Sequence, residues 1–507
     1  MFKTIISVLL GLASLCVLAK PFDLIEATLE SVHKEIIAGT LSCEDLVRQY
    51  IYRIQKFDQS SGLNSIILIN PEALLRAREL DLAYAKSGKL ASLHCASMIV
   101  KDNYLTKGLQ TSIGSKAMAG FIPDTDAWQV KKLKEAGAIV LAKSNMAEWA
   151  FSPRVTISSI AGETRNPYNL HHSPAGSSGG TAAAVASNFG LIGLGTDTGN
   201  SIRGPSSHNA LVGIRSTMGL TSRSGIAPLY FRNDVGGPMA RTVTDATRVL
   251  QVISGVDSND PITQTALGKV NSDLLSLLNV NALKDVRVGV MRELSERESD
   301  PQIAKLFEAA LKDLERLGAS IVDVDPILNF SELSSNHWCR MFREDLNQFL
   351  KKYGSNAPMK NLNEIVREGT YSDYIAEDIK AMLAVEDPRS ETRSCGDIYS
   401  DKRRVKFRDA IVSAMDSQSL AVIVYPSWLF PPGRIGHPED YKGDNNQVIA
   451  PHTGLPAITL PMGYVGGLPA GLQFLGRLFS EPQILPLAYA YEQGTQHRKP
   501  PALFDRL

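Results

Sequence analysis

Two serines among closely spaced glycines are the residues of this chain best suited to chemistry. Ser177 and Ser201 lie in the stretch from Arg165 to Gly219, RNPYNLHHSPAGSSGGTAAAVASNFGLIGLGTDTGNSIRGPSSHNALVGIRSTMG. Glycine is used where backbone takes positive φ or comes close to another group. A Gly/Ser run usually marks a flexible linker. Here it leads directly into TAAAVASN, a good helix start, and then into the apolar LIGLG. Ser177 and Ser178 therefore sit where N-caps sit, and their hydroxyls and the helix amides are expected to converge on a point able to hold an anion. Two motif templates fit the stretch only formally. Gly176-Ser177-Ser178-Gly179-Gly180 matches G-x-S-x-G, which would make Ser178 the nucleophile of a strand-to-helix elbow. The elbow needs a buried strand before it, and RNPYNLHHSPA is polar and broken by Pro167 and Pro174, so that template is excluded. A phosphate-binding loop needs a lysine directly after its glycines, and none follows.

The stretch closely resembles the amidase signature family of serine hydrolases. The resembling residues are Gly176-Ser177-Ser178-Gly179-Gly180, Gly195-Thr196-Asp197-Thr198-Gly199, Ser201-Ile202-Arg203 and Gly213-Ile214-Arg215. The resemblance extends over most of residues 25 to 495 and is strongest at 98 to 250 and 446 to 493. It implies an α/β fold with a central mixed sheet surrounded by helices. It also implies that Ser201 is the acylated nucleophile, that Ser177 is a proton bridge following a cis peptide bond, and that Lys101, ending the apolar run Met98-Ile99-Val100 before Asp102-Asn103, is the general base. Backbone amides of Thr198, Gly199, Asn200 and Ser201 would then form an oxyanion hole, with Ser178, Asp197 and Arg203 as supports around the nucleophile loop.

The chemistry explains these residue types. A serine hydroxyl is a weak nucleophile until an adjacent base takes its proton, and a neutral lysine can be that base. Free lysine has a pKa of about 10.4, so acting near neutrality requires a fall of roughly 3, or about 4 kcal/mol of differential interaction. Burial alone supplies a fall of that size. The apolar residues before Lys101 suit a buried strand end. In isolation each residue also has an ordinary reading: a strand-end lysine as a solvated charge, Ser177 as an N-cap, Ser201 as a turn residue, Asp197 and Arg203 as a plain ion pair. It is their joint occurrence that carries the assignment.

The elements that must position these residues begin after a leader. Residues 1 to 19, MFKTIISVLLGLASLCVLA, combine an early Lys3, an apolar core and small residues at the end, the pattern of a signal peptide. Their apolar run is short of the roughly 20 residues that span a bilayer. The expectation is a protein exported to a secreted, periplasmic or endomembrane-lumenal location, without a stable membrane span after cleavage, and with residues 20 to 507 forming one domain. The formal net charge of +0 and the lack of a Lys/Arg-rich run argue against nucleic acid or an anionic membrane as partner. Cys43, Cys95, Cys339 and Cys395 remain after the leader. None lies in C-x-x-C, which argues against a zinc or redox site and leaves room for at most two disulfides, Cys339 with Cys395 being one candidate pair. His171-His172 fits no metal-binding spacing, and the proposed chemistry needs no cofactor or metal.

Two amphipathic helices are expected within 22 to 60, with a capping signal at Thr40-Leu41-Ser42-Cys43-Glu44-Asp45. A strand at Ile66 to Ile69, a helix from Pro71 and the Lys101 strand follow, then a helix at Ala127 to Ala136 and a strand at Ile139 to Ala142. This alternation implies a layered α/β fold. Four positions depart from the family pattern. Cys95 and Ser97 replace the usual Gly and Pro, which puts a thiol near Lys101. Ala175 replaces a glycine before Gly176, and Asn200 replaces the second glycine of the usual G-G-S. Asn tolerates positive φ better than most residues, and its side chain is expected to fix the turn. Residues from about 258 to 419 match the family least. In the family such an insert shapes the acyl pocket, and Trp338, Met341 and Phe342 are candidates for its lining or for core.

The leading reading is an exported amidase that hydrolyses a small-molecule or peptide amide to acid plus amine or ammonia, with homodimerisation left open. The alternatives are a glutamine-dependent amidotransferase subunit, which export disfavours, and a catalytically inactive binding protein on the same fold.

Overall fold

Apolar runs bounded by glycine and polar turns become strands, and the amphipathic segments between them become helices. The computed structural model describes residues 22–335, 337–385 and 395–504; the export signal expected at 1–19 lies outside them. In chain order the strands begin with β1 (Ile66–Ile69), β2 (Ser97–Lys101) and β3 (Ile139–Ser144), followed by the small hairpin β4 (Thr156–Ser158) and β5 (Gly162–Thr164). Next come β6 (Ile192–Asp197), β7 (Val212–Arg215), β8 (Val235–Ala240), β9 (Arg287–Val290) and β10 (Ser320–Asp323). The last three are β11 (Val422–Pro426), β12 (Ala457–Val465) and β13 (Leu468–Leu475). All but β4 and β5 join one sheet of 11 strands in the order β1-β3-β2-β6-β8-β7-β12-β13-β11-β9-β10. The sheet is mixed, as expected, and helices cover it.

The centre of the sheet positions the chemistry. β2 lies between β3 and β6 and runs parallel to both, with Lys101 opposite Ser144 and Val100 opposite Leu194. The carboxyl ends of β2 and β6 therefore lie side by side, and in open α/β sheets that is where ligands bind. Every residue of β2, β3 and β6 is buried. The helix Gly179–Ala186 is likewise buried along its whole length. It packs so closely that a Cβ on Gly180 would stand 2.1 Å from the Asn145 carbonyl oxygen, which leaves room for glycine only.

The expected elements form with shifted ends. The first two helices are Leu29–Ile37 and Cys43–Phe57, and Ser42 caps the second by accepting from Asp45 N at 3.0 Å. The helix expected at 127 to 136 spans Trp128–Glu135, and the strand after it runs on to Ser144. Two readings need correction. Cys95 carries no free thiol, because it is bonded to Cys43 at the start of the second helix; Cys339 and Cys395 form the other pair. Asn200 is not among the residues at positive φ, whereas Ala175 (φ 64) and Cys95 (φ 62) are. The strain of the missing glycines thus falls at 95 and 175 and not in the nucleophile turn.

The Cys43–Cys95 bond closes a separation of 52 residues, for which chain entropy gives about 4 kcal/mol. The double variant Cys43→Ala/Cys95→Ala is expected to lose about that much in urea unfolding monitored without reductant. An unchanged midpoint would show that the two cysteines are not bonded.

Candidate active site

At the end of β2 the Lys101 side chain is fully buried. Its Nζ donates to Ser177 Oγ at 2.7 Å and to Thr196 Oγ1 at 2.7 Å. Thr196 Oγ1 also accepts from Asn103 Nδ2 at 3.2 Å. Among the described residues no carboxylate comes within ion-pair distance of Lys101. Burial, opposed only by the more distant charges of Asp234 and Asp197, lowers its pKa from 10.5 to about 7. Lys143, on the neighbouring strand, shows the usual solution. It is equally buried but lies 3.5 Å from the Asp102 carboxylate and donates to Tyr104 O at 2.6 Å and Thr111 Oγ1 at 3.1 Å. Burial lowers its pKa to about 8 against the pull of Asp102.

Ser177 follows a cis peptide bond from Gly176, and its hydroxyl belongs to Lys101. Ser178 does not cap the helix that starts at Gly179, contrary to expectation. Its hydroxyl instead donates to Thr196 O at 3.2 Å and accepts from Thr196 N at 3.3 Å. The end of β6 offers a paired donor and acceptor at that point, and the hydroxyl pins the serine loop to the strand instead of serving a helix amide. The two serines therefore do not build an anion site at the helix start.

Asp197 organises the loop that carries Ser201. Its Oδ2 accepts from the amides of Ile202 at 3.1 Å and Arg203 at 3.3 Å, so one carboxylate closes the turn from 197 to 203. Arg203 reaches it through Nε at 3.1 Å and Nη2 at 3.1 Å and also donates to Gly199 O at 2.7 Å. Arg215 Nη1 adds a bond to Oδ1 at 3.0 Å. Burial would raise the Asp197 pKa, but the two guanidinium groups hold it at about 2. Thr198 Oγ1 donates to Asp234 Oδ1 at 2.6 Å, which joins the loop to the segment before β8. Among the described residues no backbone carbonyl accepts from the amides of Gly199, Asn200 or Ser201. The Asn200 side chain bonds elsewhere: its Nδ2 donates to Pro153 O at 3.0 Å and Asp444 Oδ2 at 2.8 Å, and its Oδ1 accepts from Ser201 Oγ at 3.4 Å.

Ser201 opens on a cavity of about 280 Å³. Phe151, Tyr230, Trp338, Phe342 and Met382 give it aromatic and apolar walls, and Arg340 and Asp378 also face it. Met341 does not line it but packs with Tyr230 and Cys339. A larger cavity of about 630 Å³ lies apart, beside Arg223 and Lys352. His171 and His172 border a separate surface depression with Arg434 and His437. Three functional neighbours are not foreseen from the sequence: Thr196 as the second partner of Lys101, Asp234 behind Thr198 and Asp444 behind Asn200. Thr196 lies in a quoted motif, but only its strand register gives it a role; Asp234 and Asp444 carry no local signal.

Comparison with known proteins identifies the family. The family described as Amidase matches residues 45–485. The chain is 32% identical to an Arabidopsis thaliana protein named probable amidase, over 97% of this chain and 94% of that protein. It is 30% identical to a glutamyl-tRNA(Gln) amidotransferase subunit of Synechococcus sp. (strain JA-3-3Ab), over 94% of each. The crystal structure of native peptide amidase from Stenotrophomonas maltophilia superimposes with a TM-score of 0.84 at 33% identity, covering 96% of this chain and 100% of that one.

Removing one partner of a buried ionic network leaves an uncompensated charge and costs about 3–5 kcal/mol. Asp197→Ala, which strands both Arg203 and Arg215, is expected to lose at least that much stability in denaturant unfolding. A loss below about 1 kcal/mol would mean that packing alone holds the nucleophile loop.

Proposed function

The chain belongs to the amidase family and is an amide-hydrolysing enzyme; from that premise we propose that it cleaves small-molecule or peptide amides through an acyl-enzyme on Ser201, with Ser177 as proton bridge and Lys101 as general base. The observation that carries this reading is the Lys101 amine, buried and paired only with hydroxyls. Thr196 Oγ1 accepts one N–H of the amine. A neutral amine then has its lone pair free for the Ser177 proton, which makes it a base and not a counter-ion.

In the forward step the Ser177 proton passes to Lys101 Nζ while Ser177 Oγ takes the Ser201 proton. Ser201 Oγ attacks the amide carbonyl, and the resulting oxyanion is met by the amides of Thr198, Gly199, Asn200 and Ser201. The Gly199, Asn200 and Ser201 amides have no backbone acceptor among the described residues, which supports their keeping free for that oxyanion. The carbon–nitrogen bond then breaks as the relay runs backwards and delivers a proton to the departing nitrogen. Water, activated by the same relay, releases the acid. The logic is that of a serine hydrolase with lysine in place of histidine.

The aromatic walls favour an apolar side chain on the acyl part, while Arg340 and Asp378 at the same cavity favour peptide-like acyl groups over plain alkyl chains. The second reading, part of a glutamine-dependent amidotransferase, rests on the 30% identity to one subunit of such an enzyme. The leader composition together with two bonded cysteine pairs supports export to an oxidising compartment, where no tRNA partner is available. The continuous 11-stranded sheet supports reading residues 20 to 507 as one domain.

The test is amine or ammonia release from a panel of amides, with glutamine included, between pH 5 and 10. A base active only when unprotonated, with a pKa of about 7, makes kcat/KM fall about tenfold per pH unit below that value and level off above it. Lys101→Met is expected to lose roughly 10²- to 10⁴-fold, and Ser201→Ala nearly all activity. Glutamine as the only productive substrate would favour the amidotransferase reading. No turnover of any amide, ester or glutamine, together with no labelling of Ser201 by a fluorophosphonate, would make the fold an inactive binding protein.

A further inference from the structure

We propose that Asp444 is a positioning residue for the reaction, which fixes the Asn200 amide so that its oxygen, and never its nitrogen, faces Ser201. This rests on the reading of Ser201 as nucleophile.

A primary amide offers two N–H donors on nitrogen and only acceptor sites on oxygen. Asn200 Nδ2 spends its donors on the Pro153 carbonyl at 3.0 Å and on Asp444 Oδ2 at 2.8 Å. Neither group can donate while Asp444 is ionised, so a flipped amide would lose both bonds. Asn200 Oδ1 is thereby left toward Ser201, whose Oγ donates to it at 3.4 Å. Gly204 completes the slot, since a Cβ there would stand 2.7 Å from Asn200 Nδ2.

Asp444 is itself held from three sides. Its Oδ1 accepts from Asn446 N at 3.1 Å and Asn446 Nδ2 at 2.9 Å, and its Oδ2 accepts from Gln447 Nε2 at 2.9 Å. Asn446 O in turn accepts from Arg203 Nη2 at 2.9 Å, so the clamp joins the same network that folds the nucleophile loop. Burial raises the Asp444 pKa to about 6, against the side chains of Asn446 and Gln447 and the charge of Arg203, and the carboxylate is ionised in an assay at pH 8.

The orientation matters because the two ends of the amide act oppositely on the nucleophile. In the resting site Oδ1 accepts from the Ser201 hydroxyl, and when that proton turns to Ser177 Oγ it sets no donor against the oxygen lone pairs that attack. Nδ2 in its place would donate into a lone pair and weaken the nucleophile. Asp444→Asn frees the amide to make that exchange. The new side chain must keep its oxygen toward the Asn446 backbone amide, which cannot rotate away, so its NH₂ faces Asn200. Two NH₂ groups cannot bond each other, so the amide that Asp444 held is no longer fixed: turning over regains a bond at position 444 and gives up the one to Pro153.

The experiment is a double-mutant cycle of Asp444→Asn and Asn200→Ala in the full chain. It reads kcat, KM and the rate of fluorophosphonate labelling of Ser201 at pH 8. Asp444→Asn is expected to lower kcat and the labelling rate about tenfold with KM unchanged, the effect of one misdirected hydrogen bond. In the Asn200→Ala background the same change is expected to alter both by less than about twofold, because the amide it acts through is gone. An Asp444→Asn variant with wild-type rates, or one that loses the same factor in both backgrounds, overturns the proposal. If Asp444→Asn does not fold, Asn200→Ala decides alone, since labelling at the wild-type rate overturns the proposal and slowed labelling upholds it. Residual activity in Ser201→Ala would instead sink the nucleophile assignment, whatever the cycle gives.

Discussion

A lysine amine sealed from water with only hydroxyls for company is the constraint around which this protein is built. Moving its pKa from 10.5 to about 7 corresponds to roughly 5 kcal/mol set against folding at neutral pH. The sign is that of a depressed cationic group: between about pH 7 and 10.5 the unfolded chain binds the proton that the folded chain has released, so this group's contribution to stability improves as pH rises through that window. Only a well-packed surround can hold such a residue. The surround here is the centre of an 11-stranded sheet, where β2 is flanked on both sides and the buried helix Gly179–Ala186 lies close by. Lys143 marks the contrast, because the sheet also buries that amine but gives it the Asp102 carboxylate. The two buried lysines differ in that Lys101 is refused a counter-ion and Lys143 is given one.

The nucleophile loop is held by the opposite device. Asp197 collects two arginines and two backbone amides, and the resulting charge cluster is rigid because its charged members are buried and each is bonded to several partners. Its bonds are all made on the inner side of the turn. The amides of residues 199–201 keep their outward face without a backbone acceptor. A loop that is tightly bonded on one face and open on the other is preorganised for charge that develops only during reaction.

The sequence made the candidate site legible because the relay chemistry proposed for it demands fixed residue types at short spacing. Lys101, Ser177 and Ser201 each stand in a local context that can be read without a structure, and the sheet brings Lys101 onto Ser177. What could not be read was supplied by strand register and by distant segments. Thr196 touches Lys101 only because β2 and β6 pair in parallel. Cys95 is bonded because the helix starting at Cys43 packs back onto the entrance to β2, a contact that no local pattern encodes. Ser178 misled for a related reason: at the level of sequence a helix start is the nearest claimant for its hydroxyl, whereas the edge of β6 is nearer in space. Cys95 and Ala175, where the family pattern has glycine, both stand at positive φ, the region glycine enters without cost.

The acyl cavity was the least legible part, and the physics of recognition explains it. A proton relay tolerates little displacement, so its members must be carried on strands and short turns, where sequence and geometry are tied closely. A cavity wall needs only shape and polarity, and can be assembled from any segments that reach it. Here Trp338, Arg340 and Phe342 come from one segment, Asp378 and Met382 from another, and Tyr230 from a third. The Cys339–Cys395 bond fastens the first of these to a segment 56 residues further along the chain. The wall is nonetheless tied to the loop it serves, since a Cβ on Gly199 would stand 3.0 Å from the Trp338 ring and Tyr230 N donates to the same Asp234 carboxylate that Thr198 holds.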